Sequence, residues 1–281
     1  MRTQWEFIFK PIFLGTLFFS GSLQAGIELK EGPPNPNDIQ VVPVEKTPEP
    51  GQVSLRIQYP KNEKIETDQP IDVETRIDWF PLGIDNENFQ RKHEISNNRD
   101  GQSLHVFIDN LNYFSINEAL FDAVDDHDEF FDQISEFKIP YKLSPGMHVI
   151  RVFPCRSFGE SLKSSKCFAA HIFYYKQKDP ALNINLSEPF LTYNEPQGFF
   201  SDPKKPILLD FYINNCTLSK DGYKVRMTID EHNQRFLYDW VPYYIYGLTS
   251  GNHTIQLELI DPQNKLVPGI FNDVSRTFTI K

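Results

Sequence analysis

The sequence lacks any cluster of positive charge. Its 281 residues include 28 Lys and Arg, scattered along the chain, against 38 Asp and Glu, so the formal net charge is −10. Nucleic acids and anionic membrane surfaces are both bound through clustered positive charge. The composition therefore argues against both as partners.

Catalytic motifs are also missing. The sequence contains no Gly-x-Ser-x-Gly nucleophile elbow, no Gly-rich phosphate loop and no His-Glu-x-x-His zinc signature. Ser135-Glu136-Phe137-Lys138 spells Ser-x-x-Lys, but its companion motifs are absent and we interpret it as chance. We therefore expect no catalytic residues, no cofactor and no metal site. A pair of hydrolytic carboxylates leaves no motif, so that alternative stays open.

No apolar run after the N-terminus is long enough to cross a membrane. The N-terminus itself carries Arg2 and Lys10, then the apolar stretch 11–19, then small and polar residues up to Ala25. This order is typical of a secretory signal peptide, residues 1–25, cleaved after Ala25. The apolar stretch is shorter than the about 20 residues of a membrane span. We expect an exported protein, periplasmic or extracellular; an uncleaved membrane anchor is the alternative.

Proline is abundant just after the predicted signal. Six prolines fall between residues 26 and 51, among charges and few large apolar residues. Such a composition favours extended, polyproline-like conformations. We predict a Pro-rich linker over residues 26–51.

The rest of the chain has an all-β pattern. The sequence contains 24 Phe, 12 Tyr and 21 Pro, and short stretches of alternating apolar and polar residues are separated by Gly, Pro, Asn and Asp. No long helical periodicity falls between them. Toward the C-terminus the predicted strands lie near 182–186, 207–213, 223–229, 235–240, 243–246, 252–260 and 274–280.

An internal repeat divides this β region. Asp100–Asp109 matches Asp221–Asp230, because both begin with Asp-Gly, alternate, and end on Ile-Asp. Leu143–Val152 matches Leu248–Leu257. Two weaker upstream matches pair Pro70–Val73 with Pro206–Leu209 and Val53–Ile57 with Leu182–Leu186. The preserved order predicts two tandem antiparallel β-sandwich domains, 52–178 with an acidic insertion, and 179–281.

The repeat also predicts side-chain directions, because successive residues of a strand point to opposite faces of the sheet. Ile150 and Ile255 are equivalent and should face the two cores. Their neighbours should face outward: Val149 and Arg151 in the first copy, Thr254 and Gln256 in the second.

Both copies contain the pattern Leu-x-x-Gly-x-His-x-Ile, which starts at Leu143 in the first copy and at Leu248 in the second. This stretch resembles the late-strand segment of immunoglobulin-like and fibronectin type III-like modules of exported bacterial proteins. The resemblance implies a tandem immunoglobulin-like sandwich fold and little about function. The inter-sheet cysteine pair around a central tryptophan, typical of antibody domains, is not present.

Three cysteines remain to be assigned. Cys155 follows one predicted strand and Cys167 opens the next, so we expect them to face each other at the base of a hairpin. Export permits oxidation, and a Cys155–Cys167 disulfide is our prediction, with two unpaired thiols as the alternative. Cys216 is then a buried thiol or part of an intermolecular bridge.

The acidic insertion holds eight carboxylates: Glu118, Asp122, Asp125, Asp126, Asp128, Glu129, Asp132 and Glu136. We interpret it as a solvated excursion, with a short helix over 116–124. Ca²⁺ binding is the alternative, although the order of ligands in a 12-residue calcium loop is missing. His148 and His253 are equivalent in the repeat, and we expect each to be satisfied by nearby backbone rather than by a metal.

Two aromatic segments, 79–81 and 239–246, are candidates for a flat surface that binds sugar rings or a peptide. The alternative, which we favour, is that alternate residues fill the core.

These observations predict an exported, non-catalytic binding or structural protein with an unknown protein or polysaccharide ligand. Two alternatives remain: a hydrolase of envelope or extracellular polymers, and a fimbrial-type periplasmic chaperone. The chaperone needs a basic pair to hold a client's C-terminal carboxylate, and we find none.

Overall fold

The structure is a computed structural model, and it describes residues 38–61, 63–87, 89–95, 100–121, 132–178 and 184–281. The described residues belong to one compact unit, 36–281. The predicted signal peptide 1–25 and the start of the predicted linker, 26–37, lie outside the described residues. So do the predicted boundary near residue 179 and five acids of the insertion: Asp122, Asp125, Asp126, Asp128 and Glu129.

The first part of the chain forms ten strands. They are β1 (Gln40–Pro43), β2 (Ser54–Tyr59), β3 (Lys64–Ile65), β4 (Asp72–Asp78), β5 (Ser103–Ile108), β6 (Phe114–Ile116), β7 (Leu120–Phe121), β8 (Gln133–Lys138), β9 (Gly146–Cys155) and β10 (Ala169–Tyr175). One short helix, α1 (Arg91–Glu94), and a 3-10 turn, Ser165–Cys167, lie between them. Strands β2 to β10 form two facing sheets, in the orders β2-β4-β8-β7 and β3-β10-β9-β5-β6.

The second part of the chain repeats this arrangement. Its strands are β11 (Phe190–Glu195), β12 (Gly198–Phe200), β13 (Ile207–Asn214), β14 (Lys224–Ile229), β15 (Asn233–Leu237), β16 (Tyr243–Tyr246), β17 (Gly251–Ile260) and β18 (Asp273–Ile280). The two sheets have the orders β11-β13-β16-β1 and β12-β18-β17-β14-β15. The strand orders confirm an all-β protein of the immunoglobulin-like β-sandwich class, and the four sheets form two facing pairs that we call the first and second sandwich.

Each sandwich has its own apolar core between its two sheets. In the first core, Ile77, Val106 and Phe173 are completely or almost completely buried; in the second, Leu257 and Phe278 are. Ile150 and Ile255, which the repeat pattern predicted to face inward, are both fully buried. Alternation along each strand supplies these residues, because every second side chain points between the sheets.

The repeat extends to individual hydrogen bonds. His148 Nδ1 lies 2.7 Å from Asp109 Oδ2, and its Nε2 lies 2.8 Å from the Ser144 carbonyl oxygen. In the second copy His253 makes the same two contacts, with Asp230 and Thr249, at the same distances. The prediction that these histidines are held locally is therefore confirmed, with a carboxylate added to the backbone partner.

Two local predictions need correction. The described part of 182–186 is not a strand; the first strand of the second sandwich is β11, which pairs with β13 just as β2 pairs with β4. Both pairs contain a register shift, near Ile57 and near Tyr193. The helix predicted over 116–124 is also wrong in its described part, because Leu120 and Phe121 form strand β7 against β8.

The second part of the predicted linker is packed rather than free. Strand β1 pairs antiparallel with β16, from Gln40 opposite Tyr246 to Pro43 opposite Tyr243. Residue Thr47 then donates its backbone N–H and its hydroxyl to the Glu160 carboxylate of the first sandwich, at 2.8 and 2.7 Å. We call residues 38–49 the strap, because this segment joins the edge of the second sandwich to a loop of the first.

The outward face of β5 and β9 packs against the outward face of β11 and β13. Phe107, Phe153 and Tyr212 form an apolar cluster at this contact. The expectation that Val149 and Arg151 face solvent is therefore wrong: both are buried. Their equivalents Thr254 and Gln256 are only partly buried. The four sheets thus stack in one series, with a contact between the sandwiches.

All three cysteines fall within the described ranges, and each is a free thiol. The predicted Cys155–Cys167 disulfide is absent because the register of β9 and β10 pairs Ala169 with Val152. Extending this register puts Cys167 beside Pro154. Cys155 points to the contact between the sandwiches and Cys167 into the first core. Cys216 packs against the second core and is partly buried.

Candidate functional site

A cleft of about 280 Å³ opens where the two sandwiches meet. We call it the junction cleft. Its polar lining includes His105 and Tyr113 from the first sandwich, Arg156 from the loop after β9, and Glu195 from the end of β11. Phe199 of β12 supplies an apolar part of the wall. The cleft thus draws its side chains from both halves of the molecule.

Glu195 is the carboxyl group of the junction cleft. The register shift after Tyr193 turns the end of β11 and carries Glu195 toward the first sandwich. The Tyr113 hydroxyl donates to its Oε1, and the Gln197 N–H donates to its Oε2 at 3.1 Å. Burial raises the pKa of Glu195 to about 7, against the lowering effect of these two hydrogen bonds. Glu195 therefore exchanges a proton near neutral pH.

His105 lies beside this carboxyl on β5, on the face that meets the second sandwich. Its ring stacks on Tyr113, with the two centroids 3.7 Å apart. Its Nδ1 is 2.7 Å from Asn194 Oδ1, and the Asn194 amide nitrogen donates to the Gly159 carbonyl and to Asp210. Since the amide oxygen can only accept, Nδ1 carries the proton and Nε2 is the acceptor nitrogen. Burial lowers the pKa of His105 to about 4, so the ring is neutral at physiological pH.

Arg156 gives the cleft its cation, and the strap helps to hold it. Its guanidinium lies over the Phe89 ring, 4.4 Å from the centroid, and donates to the Pro48 carbonyl oxygen. Burial lowers the pKa of Arg156, but guanidinium groups stay charged in proteins. Across the cleft, 75% of Phe199 is exposed. A large apolar ring left this open is uncommon and marks a surface available to a ligand.

A second polar cluster lies behind the cleft and is closed to solvent. Lys163 Nζ is 2.5 Å from Asp210 Oδ1, and the two side chains are 2% and 0% exposed. Lys163 also donates to Ser161 Oγ at 2.7 Å and to the Phe211 carbonyl oxygen at 2.9 Å. Asn194 belongs to both clusters, because it contacts His105 and Asp210.

The chemistry available in the junction cleft is that of polar recognition. Acceptors are Glu195 and His105 Nε2, and donors are Arg156 and the side chain of Gln197. Glu195 is the one carboxyl group among the described residues that line the cleft. Hydrolysis of a glycosidic bond by the common route uses two carboxyl groups about 5–10 Å apart, and this lining supplies one.

Other candidate residues take structural positions. Tyr243 and Ile245 fill the second core, and Tyr244 packs beside Leu208 on the other face of β16. The interpretation of the 239–246 segment as core is thus confirmed, rather than a flat binding platform. Across the described ranges, no group of three or more His, Cys, Asp or Glu side chains is arranged to hold a metal ion. No helix among the described residues has the length and apolarity of a membrane span.

The residues of the junction cleft were not predicted from the sequence, although the repeat contains a signal for the contact between the sandwiches beside which the cleft lies. Position by position, His105 and Phe107 correspond to Arg226 and Thr228 of the second copy, and Phe153 corresponds to Glu258. The outward positions are thus apolar or neutral in one copy and charged or polar in the other. Such a difference between two copies marks a covered face.

No family model matches the sequence, and no curated protein is similar to it. Among solved structures, the chain aligns with the fibronectin(III)-like modules of Clostridium thermocellum CbhA at 11% identity, over 81% of this chain and 94% of that chain, with a TM-score of 0.26. It aligns with the D0-D1 domain of intimin at 10% identity, over 80% and 97%, with a TM-score of 0.23.

A further alignment is with SGBP-B of the Bacteroides ovatus mixed-linkage glucan utilization locus, in complex with a heptasaccharide. The identity is 14%, the coverage 87% of this chain and 47% of that chain, and the TM-score 0.18. These three scores are too low to carry an inference, so the fold assignment rests on the strand orders given above.

Proposed function

We propose that this chain is an exported, non-catalytic binding protein that holds its ligand in the junction cleft. The observation that carries the proposal is the composition of that cleft: a buried carboxyl group, a neutral histidine and an arginine face one cavity beside the exposed ring of Phe199. Ligand pockets combine apolar walls with a few placed polar groups in this way. The N-terminal pattern of residues 1–25 supports export.

A neutral polyhydroxylated ring, that is a sugar, suits this lining. Its hydroxyl groups both donate and accept, which matches the acceptors Glu195 and His105 and the donor Arg156. Its carbon face suits the ring of Phe199. The net charge of −10 disfavours polyanionic ligands. We therefore propose a polysaccharide of the cell envelope or the extracellular space as the ligand.

The test is affinity electrophoresis of the purified chain, without residues 1–25, in gels that contain soluble polysaccharides: mixed-linkage β-glucan, xylan, starch or solubilised peptidoglycan. We expect one of these polymers to retard the protein. Phe199→Ala and Glu195→Gln should each weaken the retardation by about tenfold in affinity, the effect of losing one central contact.

Leu266→Ala is the matched control, because Leu266 is an exposed apolar residue of the second sandwich that does not line the junction cleft. It should leave the retardation unchanged. If a polymer binds but Phe199→Ala and Glu195→Gln behave like Leu266→Ala, the ligand site lies elsewhere. If none of the polymers retards the protein, the polysaccharide assignment is wrong.

A further inference from the structure

The buried pair Lys163 and Asp210 connects the two sandwiches. Lys163 belongs to the loop that follows β9, and Asp210 lies on β13. The two side chains are 2% and 0% exposed, and Lys163 Nζ lies 2.5 Å from Asp210 Oδ1. Enclosing two full charges costs several kcal/mol per ion before their attraction is counted. Conversion of both groups to uncharged forms removes this cost.

A third side chain touches both partners. Lys163 Nζ donates to Ser161 Oγ at 2.7 Å, and Ser161 Oγ donates to Asp210 Oδ2 at 2.6 Å. The serine hydroxyl thus links the ammonium group to the carboxylate by two short hydrogen bonds. Asn194 donates to the same Asp210 oxygen at 2.8 Å, which fixes the orientation of the carboxylate. We propose that Lys163 and Asp210 condense to an intramolecular isopeptide bond, with Ser161 as the proton relay.

The step balances without any co-reactant. One proton passes from the Lys163 ammonium to Ser161 Oγ while the Ser161 proton passes to Asp210 Oδ2, which gives a neutral amine and a neutral carboxylic acid. The amine lone pair then attacks Asp210 Cγ and forms the C–N bond. A second proton moves from nitrogen to Oδ2 through Ser161, and the Cγ–Oδ2 bond breaks. The products are one amide and one water molecule.

The geometry is close to that of a reacting pair. Asp210 Cγ is one carbon–oxygen bond away from Oδ1, which limits its distance from Lys163 Nζ. This distance is therefore close to the roughly 3–3.5 Å between reacting atoms in a near-attack arrangement, and exceeds it by little at most. The enclosure holds the two groups in this position and keeps bulk water out. The molecule also contains an exposed counterpart: Lys138 and Asp72 approach to 2.7 Å, but their side chains are 61% and 70% exposed. This pair lacks the enclosure and should not react.

The test is the intact mass of the purified chain under denaturing conditions. We expect a mass lower than the sequence mass by one water molecule. Tryptic digestion should join the peptide that carries Lys163 to the peptide that carries Asp210. Hydroxylamine distinguishes this product from a succinimide at Asp100-Gly101 or Asp221-Gly222, which has the same mass loss but is opened by the reagent.

Variants locate the bond. Lys163→Arg and Asp210→Ala should restore the full sequence mass, whereas Lys138→Arg should keep the loss of one water. Ser161→Ala should slow the condensation, so that freshly purified protein is mostly unlinked, and Ser161→Thr should retain it. Peptide mapping of the unaltered chain decides the matter even if a variant fails to fold. Full sequence mass, with a linear tryptic peptide ending at Lys163, would show an ordinary ion pair and overturn the proposal.

Discussion

Arg151 provides the sharpest test of how the two sandwiches are joined. The repeat places Arg151 at the same position as Gln256, yet Arg151 is 2% exposed and lies between the sandwiches. Its Nη1 donates to Thr192 Oγ1 at 2.7 Å and to the Leu191 carbonyl at 3.4 Å, and its Nη2 donates to the Asp109 carbonyl. Its guanidinium also lies 3.8 Å from the centroid of Phe271.

The expected cost of Arg151→Ala follows from these contacts. The change leaves buried acceptors without a donor, at about 1–3 kcal/mol each, and removes a desolvated cation–π contact of about 2 kcal/mol. Against this, the variant no longer buries a charge, which recovers several kcal/mol. We expect a net loss of about 3 kcal/mol in the free energy of unfolding, or about 6–12 °C in Tm for a chain of this size. Gln256→Ala, the matched control, should cost within about 0.5 kcal/mol.

The assay is urea unfolding of the chain without residues 1–25, followed by tryptophan fluorescence. Trp79 then reports on the first sandwich and Trp240 on the second, and Trp240→Phe or Trp79→Phe isolates one reporter at a time. Because Arg151 ties the two sandwiches together, both reporters should unfold in one transition, and Arg151→Ala should shift both. Two separate transitions, or an Arg151→Ala variant as stable as Gln256→Ala, would refute the reasoning.

Two further predictions concern the cleft and the strap. The contribution of Glu195 to stability is fully present below about pH 4.5 and is lost as the pH rises to about 7, because its pKa is raised in the folded state. The contribution of His105 is fully present above about pH 6.5 and is lost as the pH falls to about 4, because its pKa is lowered in the folded state. Between these limits the two contributions change in opposite directions with pH. In urea titrations, the free energy of unfolding of Glu195→Gln should therefore rise by about 2–3 kcal/mol relative to that of the unaltered chain between pH 4.5 and 7. A difference that does not change with pH would contradict the raised pKa of Glu195. Thr47→Val removes the hydroxyl hydrogen bond from the strap to Glu160 and should cost about 1–3 kcal/mol, seen as faster hydrogen exchange in β1 and β16, while Thr279→Val, which breaks an exposed bond to Asn252, should leave this exchange unchanged.

Local patterns predicted the sandwiches well. Alternation is a property of each strand, so the core positions Ile150 and Ile255 could be predicted from a few neighbouring residues. The glycines of the repeated pattern, Gly146 and Gly251, open the two strands β9 and β17. Both glycines have positive φ, 142° and 143°, a region open chiefly to glycine.

The contact between the sandwiches could not be read in the same way. Strand β11 is buried on both faces, so its sequence shows no clean alternation. The alternating pattern instead predicts the first strand of the second sandwich at 182–186. The disulfide prediction has a related problem, because the register of β9 and β10 differs by one residue from the one it assumes. This difference puts Cys155 on the other face of the sheet from Cys167. Both errors affect the prediction of the junction cleft, because Glu195 is the last residue of β11 and Arg156 directly follows Cys155.

The strap has a consequence for the order in which the chain can fold. Its partner strand β16 is synthesised long after β1, so Val41 can pair with Ile245 only after most of the chain has been made. Contacts between such distant parts of a chain form slowly. Until then the open edge of β16 exposes unpaired backbone groups that can pair with another molecule. Folding of the described residues is therefore complete only when β1, the first of their strands, docks on β16, one of the last.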